Sequence, residues 1–110
     1  MKLYFSGIGG VGIGPLAEIA HDAGHQVIGS DRSESLMTSQ LQKRGVRVYL
    51  SQSGDDLKRE HEKQPIDWLI HTAALTSDHP ELKAAEELGI KTSKRDELIA
   101  HIIQEKNLKM

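Results

Sequence analysis

The sequence predicts an α/β fold, a doubly wound parallel sheet of about five strands with helices packed on both faces. Three observations predict it. Short apolar runs alternate with amphipathic stretches along the chain, which is the pattern of repeated βα units. A glycine-rich loop, Gly7-Ile8-Gly9-Gly10-Val11-Gly12, directly follows the first apolar run. An acid, Asp31, closes the second run about 20 residues beyond that loop.

The elements follow in order. Leu3 to Ser6 reads as a short buried strand. Val11 to Ala23 has Ile13, Leu16, Ala17 and Ala20 at helical spacing, and Gly24 closes it. Pro15 belongs in the first turn of that helix, where its missing N–H costs nothing. The helix therefore starts at about Gly12 or slightly later, and the amides before it stay free. His25 to Ser30 is a second strand and Ser33 to Arg44 a second helix, stopped by Gly45. Val46, Val48 and Leu50 alternate with polar residues, so the third strand has one wet face and lies at a sheet edge. Ser53 and Asp56 have capping-box spacing before a short, very polar helix that ends near Gln64-Pro65. Ile66 to Thr72 is a fourth strand, and a helix follows from Pro80 to its stop at Gly89. Ile90 to Thr92 is a fifth strand. Ser93 and Asp96 repeat the capping-box spacing ahead of an apolar stripe of Leu98, Ile99, Ile102 and Ile103. Right-handed crossovers then give a parallel sheet, and the order 3-2-1-4-5 is expected because ligand loops then meet between strands one and four.

Bulk properties narrow the function. A length of 110 residues suits one domain, residues 1–110, with no room for a second sizeable core. A net charge of -2, with both signs mixed, gives no reason to expect nucleic acid or an anionic membrane as partner. The absence of cysteine excludes disulfides, thiolate metal sites and cysteine catalysis. No stretch is apolar enough for a signal peptide or a membrane span, so a cytoplasmic protein is expected.

Gly7, Gly9 and Gly12 fit the G-x-G-x-x-G spacing between a strand and a helix, which marks a Rossmann-like nucleotide site. Gly7 allows the tight turn, Gly9 lets the backbone approach a phosphate, and Gly12 lets helix and strand pack closely. Amides at the helix start then bind the anion. Asp31 can accept hydrogen bonds from a ribose or base; alternatively it caps the next helix together with Ser33. His71 ends a central strand, where ligands bind in parallel sheets, or is simply a satisfied strand-end residue. Lys94 and Arg95 stand near a helix N-terminus, where cations are disfavoured unless a ligand needs them; alternatively they lie on an exposed first turn. The remaining histidines form no metal-ligand grouping and read as solvated. Lys58 to Lys63 reads as a solvated, mixed-charge helix face, and Trp68 as core. No nucleophile elbow, catalytic dyad or metal site is evident.

Several segments together resemble the Mur ligase family. They are Phe5-Ser6-Gly7-Ile8-Gly9-Gly10-Val11-Gly12, Leu16-Ala17-Glu18-Ile19, Gly29-Ser30-Asp31, Thr72-Ala73-Ala74-Leu75, Asp78-His79-Pro80-Glu81-Leu82, Ala84-Ala85, Gly89-Ile90 and Lys94-Arg95-Asp96-Glu97-Leu98. The likeness spans almost the whole chain and is nearest to the family's L-alanine-adding members. It implies the first domain of an ATP-dependent ligase of peptidoglycan biosynthesis, which binds the UDP part of a UDP-N-acetylmuramate-type precursor. ATP and Mg2+ would belong to a central domain, and the amino acid to a C-terminal domain, both absent from these 110 residues. No G-K-[ST] loop occurs in the chain; in the family it would follow a segment like Asn107 to Met110. The domain alone should therefore bind without ligating. By the same resemblance Gly9, Gly10, Val11 and Gly12 face the diphosphate, and Ser30, Asp31 and Arg32 the uridine side. His71, Thr72, Ala73 and Ala74 line the opposite wall, and Lys94 and Arg95 reach the diphosphate or the sugar. Ile13-Gly14-Pro15 departs from the family pattern, since Pro15 removes an amide. From the glycine loop and Asp31 alone, two other readings stand: the NAD-binding domain of an oxidoreductase, or a nucleotide-sensing regulatory module.

Overall fold

The structure is a computed structural model that describes the backbone of residues 1–108 and side-chain surroundings as far as Glu105. Five strands alternate with five helices: β1 (Lys2–Ser6), α1 (Gly14–Asp22), β2 (Gln26–Ser30), α2 (Leu36–Lys43), β3 (Arg47–Tyr49), α3 (Asp55–Lys63), β4 (Trp68–His71), α4 (Pro80–Leu88), β5 (Thr92–Lys94) and α5 (Arg95–Leu108). All pairings are parallel, and the order is β3-β2-β1-β4-β5, as the sequence predicts. The α/β Rossmann-like class is therefore established. Among the described residues no helix is long and apolar enough to cross a membrane.

Central β1 is buried on both faces, which is why its five residues carry no exposed alternation. Leu3 and Phe5 face a core built with Leu16, Ala17 and Ala20 of α1, Leu41 of α2, and Leu98 and Ile102 of α5. Tyr4 faces the second core, with Leu57 of α3 and Ala84 and Ala85 of α4. Edge strand β3 is only partly covered, in line with its alternating sequence.

Local hydrogen bonding moves several boundaries. Residues 7–13 form successive turns, with Gly10 N–H donating to Gly7 O at 3.0 Å and Gly14 N–H to Gly10 O at 2.8 Å, so α1 begins at Gly14, slightly later than Gly12 as expected. Pro15 sits in its first turn as expected. Helix α2 starts at Leu36 because Ser35, not Ser33 or Asp31, is its cap: Ser35 Oγ accepts the Thr38 amide and Thr38 Oγ1 accepts the Ser35 amide. The Ser53–Asp56 capping box does not form. Gly54, at φ +99°, enters α3, and Asp56 pairs with Arg59 instead. Strand β4 covers Trp68–His71, shorter than the predicted 66–72. The fifth strand begins at Thr92 rather than Ile90, because the Ile90 amide is committed to Ala85 O at 2.9 Å in the turn that ends α4 at Gly89. Ser93 lies inside β5 and accepts the Trp68 indole N–H at 2.7 Å, so it caps nothing. In α5, Leu98 and Ile102 are buried, whereas Ile99 and Ile103 are exposed. Of the terminal segment noted above, Lys109 and Met110 lie outside the described residues.

The charged run in α3 is not wholly solvated. Lys2, at the base of β1, is buried, and its ammonium meets the carbonyls of Glu60 and Gln64 and, at 3.3 Å, the Glu60 carboxylate. It thus caps the C-terminus of α3, where a cation is favoured. Glu60 also accepts the Tyr49 hydroxyl and pairs with Arg47 at 2.8 Å. Burial pushes its pKa up, but the Tyr49 hydrogen bond and the Arg47 and Lys2 charges hold it below the usual carboxylate range. A carboxyl group depressed in the folded state stabilises the fold above its unfolded pKa and loses that contribution as pH falls through its folded value. Urea unfolding should therefore show stability falling below about pH 4.5, with a shallower fall in Glu60→Gln. Lys2→Met, which strands the Glu60 and Gln64 carbonyls, should cost about 3 kcal/mol at neutral pH.

Candidate functional site

The site grows from the paired ends of β1 and β2, where Ser6 lies opposite Ser30. The Ser30 carbonyl accepts both the Gly7 and Ile8 amides at 2.8 Å, which turns the chain sharply out of β1. Gly7 takes φ +82°, a left-handed conformation that only glycine adopts without strain. A second anchor follows. Asp31 Oδ2 accepts the Gly9 amide at 2.7 Å, while Oδ1 accepts the Arg32 amide at 2.7 Å. Asp31 therefore latches the loop and does not cap α2. Beyond this latch, the amides of Val11, Gly12 and Ile13 donate to no other atom among the described residues. They stand at the entrance to α1, where the helix dipole favours negative charge.

Val11, Gly12 and Ile13 line one side of a cleft of about 520 Å³. Its other walls are His71, Thr72 and Ala73 at the end of β4, and Lys94, Arg95 and Asp96 at the junction of β5 and α5. This is the crossover point between β1 and β4, where parallel sheets of this order bind ligands. His71 Nδ1 lies 2.8 Å from Thr72 O. A carbonyl only accepts, so Nδ1 carries the proton, and in the neutral ring Nε2 is left as an acceptor. Two cations facing free amides suit a ligand with two adjacent negative charges.

A second cleft, of about 650 Å³, opens on the other side of His71 and is lined by Leu75, Leu82, Glu86 and Lys91 among others. It is the larger of the two. Its single cation, Lys91, lies 3.8 Å from the Trp68 ring centroid, whereas the first cleft has two, Lys94 and Arg95, the latter 3.9 Å from Asp96 Oδ1. Charge and amides, not size, single out the first cleft.

Of the residues singled out by sequence, the structure brings Val11, Gly12, His71, Thr72, Ala73, Lys94 and Arg95 together. Gly9 and Gly10 shape the loop but do not line the cleft. Ser30 is fully buried and its hydroxyl donates to Glu81. Asp31 and Arg32 lie beyond β2, and exposed Ala74 lies past the lining. Ile13 and Asp96 line the cleft without having been singled out.

The glycines divide their work differently from the expected pattern. A Cβ on Gly9 would stand 2.7 Å from Asp31 Oδ2 and 2.9 Å from Thr38 Cγ2, so its close approach is to α2 rather than to a phosphate. Close packing falls not on Gly12, whose Cβ would meet only the tip of Arg95, but on Gly14, whose Cβ would stand 2.4 Å from Met37 Cγ and 3.1 Å from Ile8 O. The Gly14-Pro15 pair was the available signal.

Several other side chains also depart from the sequence reading. His25 is buried between the Met1 ammonium at 3.1 Å and Glu105 at 3.0 Å. His61 accepts the Ile66 amide, and His79 accepts the Glu81 amide as the cap of α4. His21 and His25 are four apart, but α1 stops at Asp22 and separates them from one helix face. Glu81 is the chief residue that sequence reasoning missed: fully buried, it accepts the hydroxyls of Tyr4, Ser6 and Ser30, each at 2.6 Å. Burial, with the Glu81 charge added, pushes the Tyr4 phenol far above its ordinary pKa.

Sheet order, glycine turn and the cleft beside it define a Rossmann-type α/β domain. Within that class, the chain belongs to the Mur ligase family, whose catalytic-domain model matches residues 2–107. A UDP-N-acetylmuramate–L-alanine ligase from Clostridium novyi is 41% identical over 103 residues, 94% of this chain and 21% of that protein. The structure of a UDP-N-acetylmuramate–alanine ligase from Thermotoga maritima superposes with a TM-score of 0.83 at 28% identity, covering 96% of this chain and 23% of that one. A UDP-N-acetylmuramate:L-alanyl-gamma-D-glutamyl-meso-diaminopimelate ligase from Neisseria meningitides superposes at 0.71 with 26% identity, over 84% of this chain and 28% of that one. The chain thus spans about a fifth to a quarter of the length of these relatives.

The glycine geometry makes a direct contrast. Gly14→Ala should lower unfolding free energy by about 1–3 kcal/mol through overpacking, whereas Gly12→Ala should stay within about 0.5 kcal/mol of wild type in the same urea titration. Equal stability of the two variants would contradict the assignment of close packing to Gly14.

Proposed function

We propose that this chain binds the UDP part of a UDP-N-acetylmuramate-type precursor as the first domain of an ATP-dependent amino-acid ligase of peptidoglycan biosynthesis. One observation carries the reading: Val11, Gly12 and Ile13, whose amides donate to no other atom among the described residues, line one cleft with Lys94 and Arg95 at the β1–β4 switch point. A diphosphate matches both walls, since the amides take one set of oxygens and the two cations the other. The names of the family relatives supply the uridine and the muramic acid.

In this reading Gly9 and Gly10 set the turn, and Val11 and Gly12 hold the diphosphate. His71 Nε2, with Thr72, Ala73 and Ala74 behind it, forms the wall beside the sugar. Asp31 and Arg32 take the uridine side. Each Asp31 oxygen has a second lone pair, so the carboxylate can accept from the base without releasing Gly9. Ser30 contributes through its carbonyl, which fixes the loop, rather than through its hydroxyl.

These 110 residues carry no G-K-[ST] loop for ATP and Mg2+. Those partners belong to central and C-terminal domains of a longer protein, which would activate the precursor carboxylate as an acyl phosphate and deliver the amino acid. A cytoplasmic setting follows from the dependence on ATP. The chain alone binds and does not turn over.

Calorimetric titration with UDP, UDP-N-acetylmuramate and NAD tests this. Both uridine ligands should bind and NAD should not. Lys94→Ala and Arg95→Ala should each weaken UDP by about 5–20-fold, the loss of one charge-assisted hydrogen bond. Preference for NAD, alanine variants that bind UDP as wild type does, or ATP hydrolysis by the chain would overturn it.

A further inference from the structure

We infer that Glu81 is a positioning residue for the cleft, holding its two facing walls at a fixed spacing; the inference rests on the UDP reading above only for its binding readout.

Glu81 lies in the first turn of α4 and is fully buried. Its Oε1 accepts Ser6 Oγ and Ser30 Oγ, and its Oε2 accepts the Tyr4 hydroxyl. Gln52, from the segment after β3, donates onto the same two serine oxygens at 3.4 and 3.3 Å. No cation pairs with Glu81 among the described residues. A buried carboxylate without a cation is costly unless its lone pairs are filled, and here three O–H donors and the α4 dipole fill that need.

Docking of α4 does not require this arrangement. Leu57, Leu69, Ala84 and Ala85 already pack that face without polar atoms in their side chains. What the carboxylate adds is placement. Ser6 is the residue before Gly7, and Ser30 is the residue whose carbonyl accepts the Gly7 and Ile8 amides. Both serine side chains end on one oxygen of Glu81. On the other side, the Glu81 amide is capped by His79, which closes the segment carrying Thr72 and Ala73 out of β4. One residue therefore ties the glycine turn to the opposing wall. A leucine at the same place would bury as well and tie neither.

The test uses this 110-residue chain in three forms: wild type, Glu81→Gln, and Leu57→Ala as a core variant on the same face that leaves the network untouched. In ligand-free protein, amide NMR shifts of Gly7 and Ile8 should move in Glu81→Gln and stay in place in Leu57→Ala. UDP affinity should fall about tenfold in Glu81→Gln, the scale of losing a supporting residue behind a binding group. Leu57→Ala should stay within about twofold of wild type even where its Tm falls as far, because it keeps the cleft geometry. Unchanged Gly7 and Ile8 shifts, or an affinity loss no larger than that of Leu57→Ala, would overturn the inference. Should Glu81→Gln fail to fold, Ser30→Ala removes one of the three donors and must shift the same two amides; unchanged shifts there are equally decisive. If wild type does not bind UDP, the ligand reading fails, while the ligand-free shifts still decide what Glu81 holds.

Discussion

The functional end of this molecule depends on one carbonyl. Ser30 O accepts two consecutive amides, from Gly7 and Ile8, and so bends the chain out of β1 within a single residue. Everything above the sheet follows from that bend. Gly7 must take a positive φ, Gly9 must fold down onto Asp31, and α1 cannot begin before Gly14. The amides of Val11, Gly12 and Ile13 are left without a partner among the described residues, in the cleft that Lys94 and Arg95 also line. The loop is a consequence of strand pairing as much as of its glycines.

The two ends of the sheet are held by buried charge in different ways. At the base, Lys2 and Glu60 join β1 to the C-terminus of α3, each satisfied by further partners. At the top, Glu81 stands without a cation and is satisfied by hydroxyls alone. No buried side-chain nitrogen or oxygen lacks a hydrogen-bond partner among the described residues. Both clusters join residues more than 50 apart in sequence, so they fix the approach of elements that periodicity alone leaves free. Apolar packing on the two faces supplies the driving force; the polar clusters select one register.

Much of this was legible beforehand. The parallel sheet followed from alternating runs and the handedness of crossovers, its order from where ligand loops meet, and the edge position of β3 from the alternation at Val46, Val48 and Leu50. Among the cleft residues, His71 followed from where a strand ends, Lys94 and Arg95 from cations placed at a helix start, and Thr72 and Ala73 from the family resemblance. What escaped was long-range. Glu60 read as part of a solvated face and Glu81 only as part of a family segment, because a carboxylate's burial depends on partners far away in the chain. Ser93 and Ser53 read as caps, because spacing does not reveal that one hydroxyl belongs to Trp68 and that a glycine already starts the other helix. Asp31 read as a ligand group or a cap, and its hold on Gly9 needed three dimensions to see.

The proposed ligand site lies between the β1 loop and the ends of β4 and β5. Mapping amide shifts of the chain as UDP is added tests it most directly. The predicted result is a continuous patch at Val11 to Ile13, His71 to Ala73, and Lys94 to Arg95. Shifts concentrated instead in the second cleft, at Leu75, Leu82 and Lys91, or confined to Asp31 and Arg32 beyond β2, would contradict it.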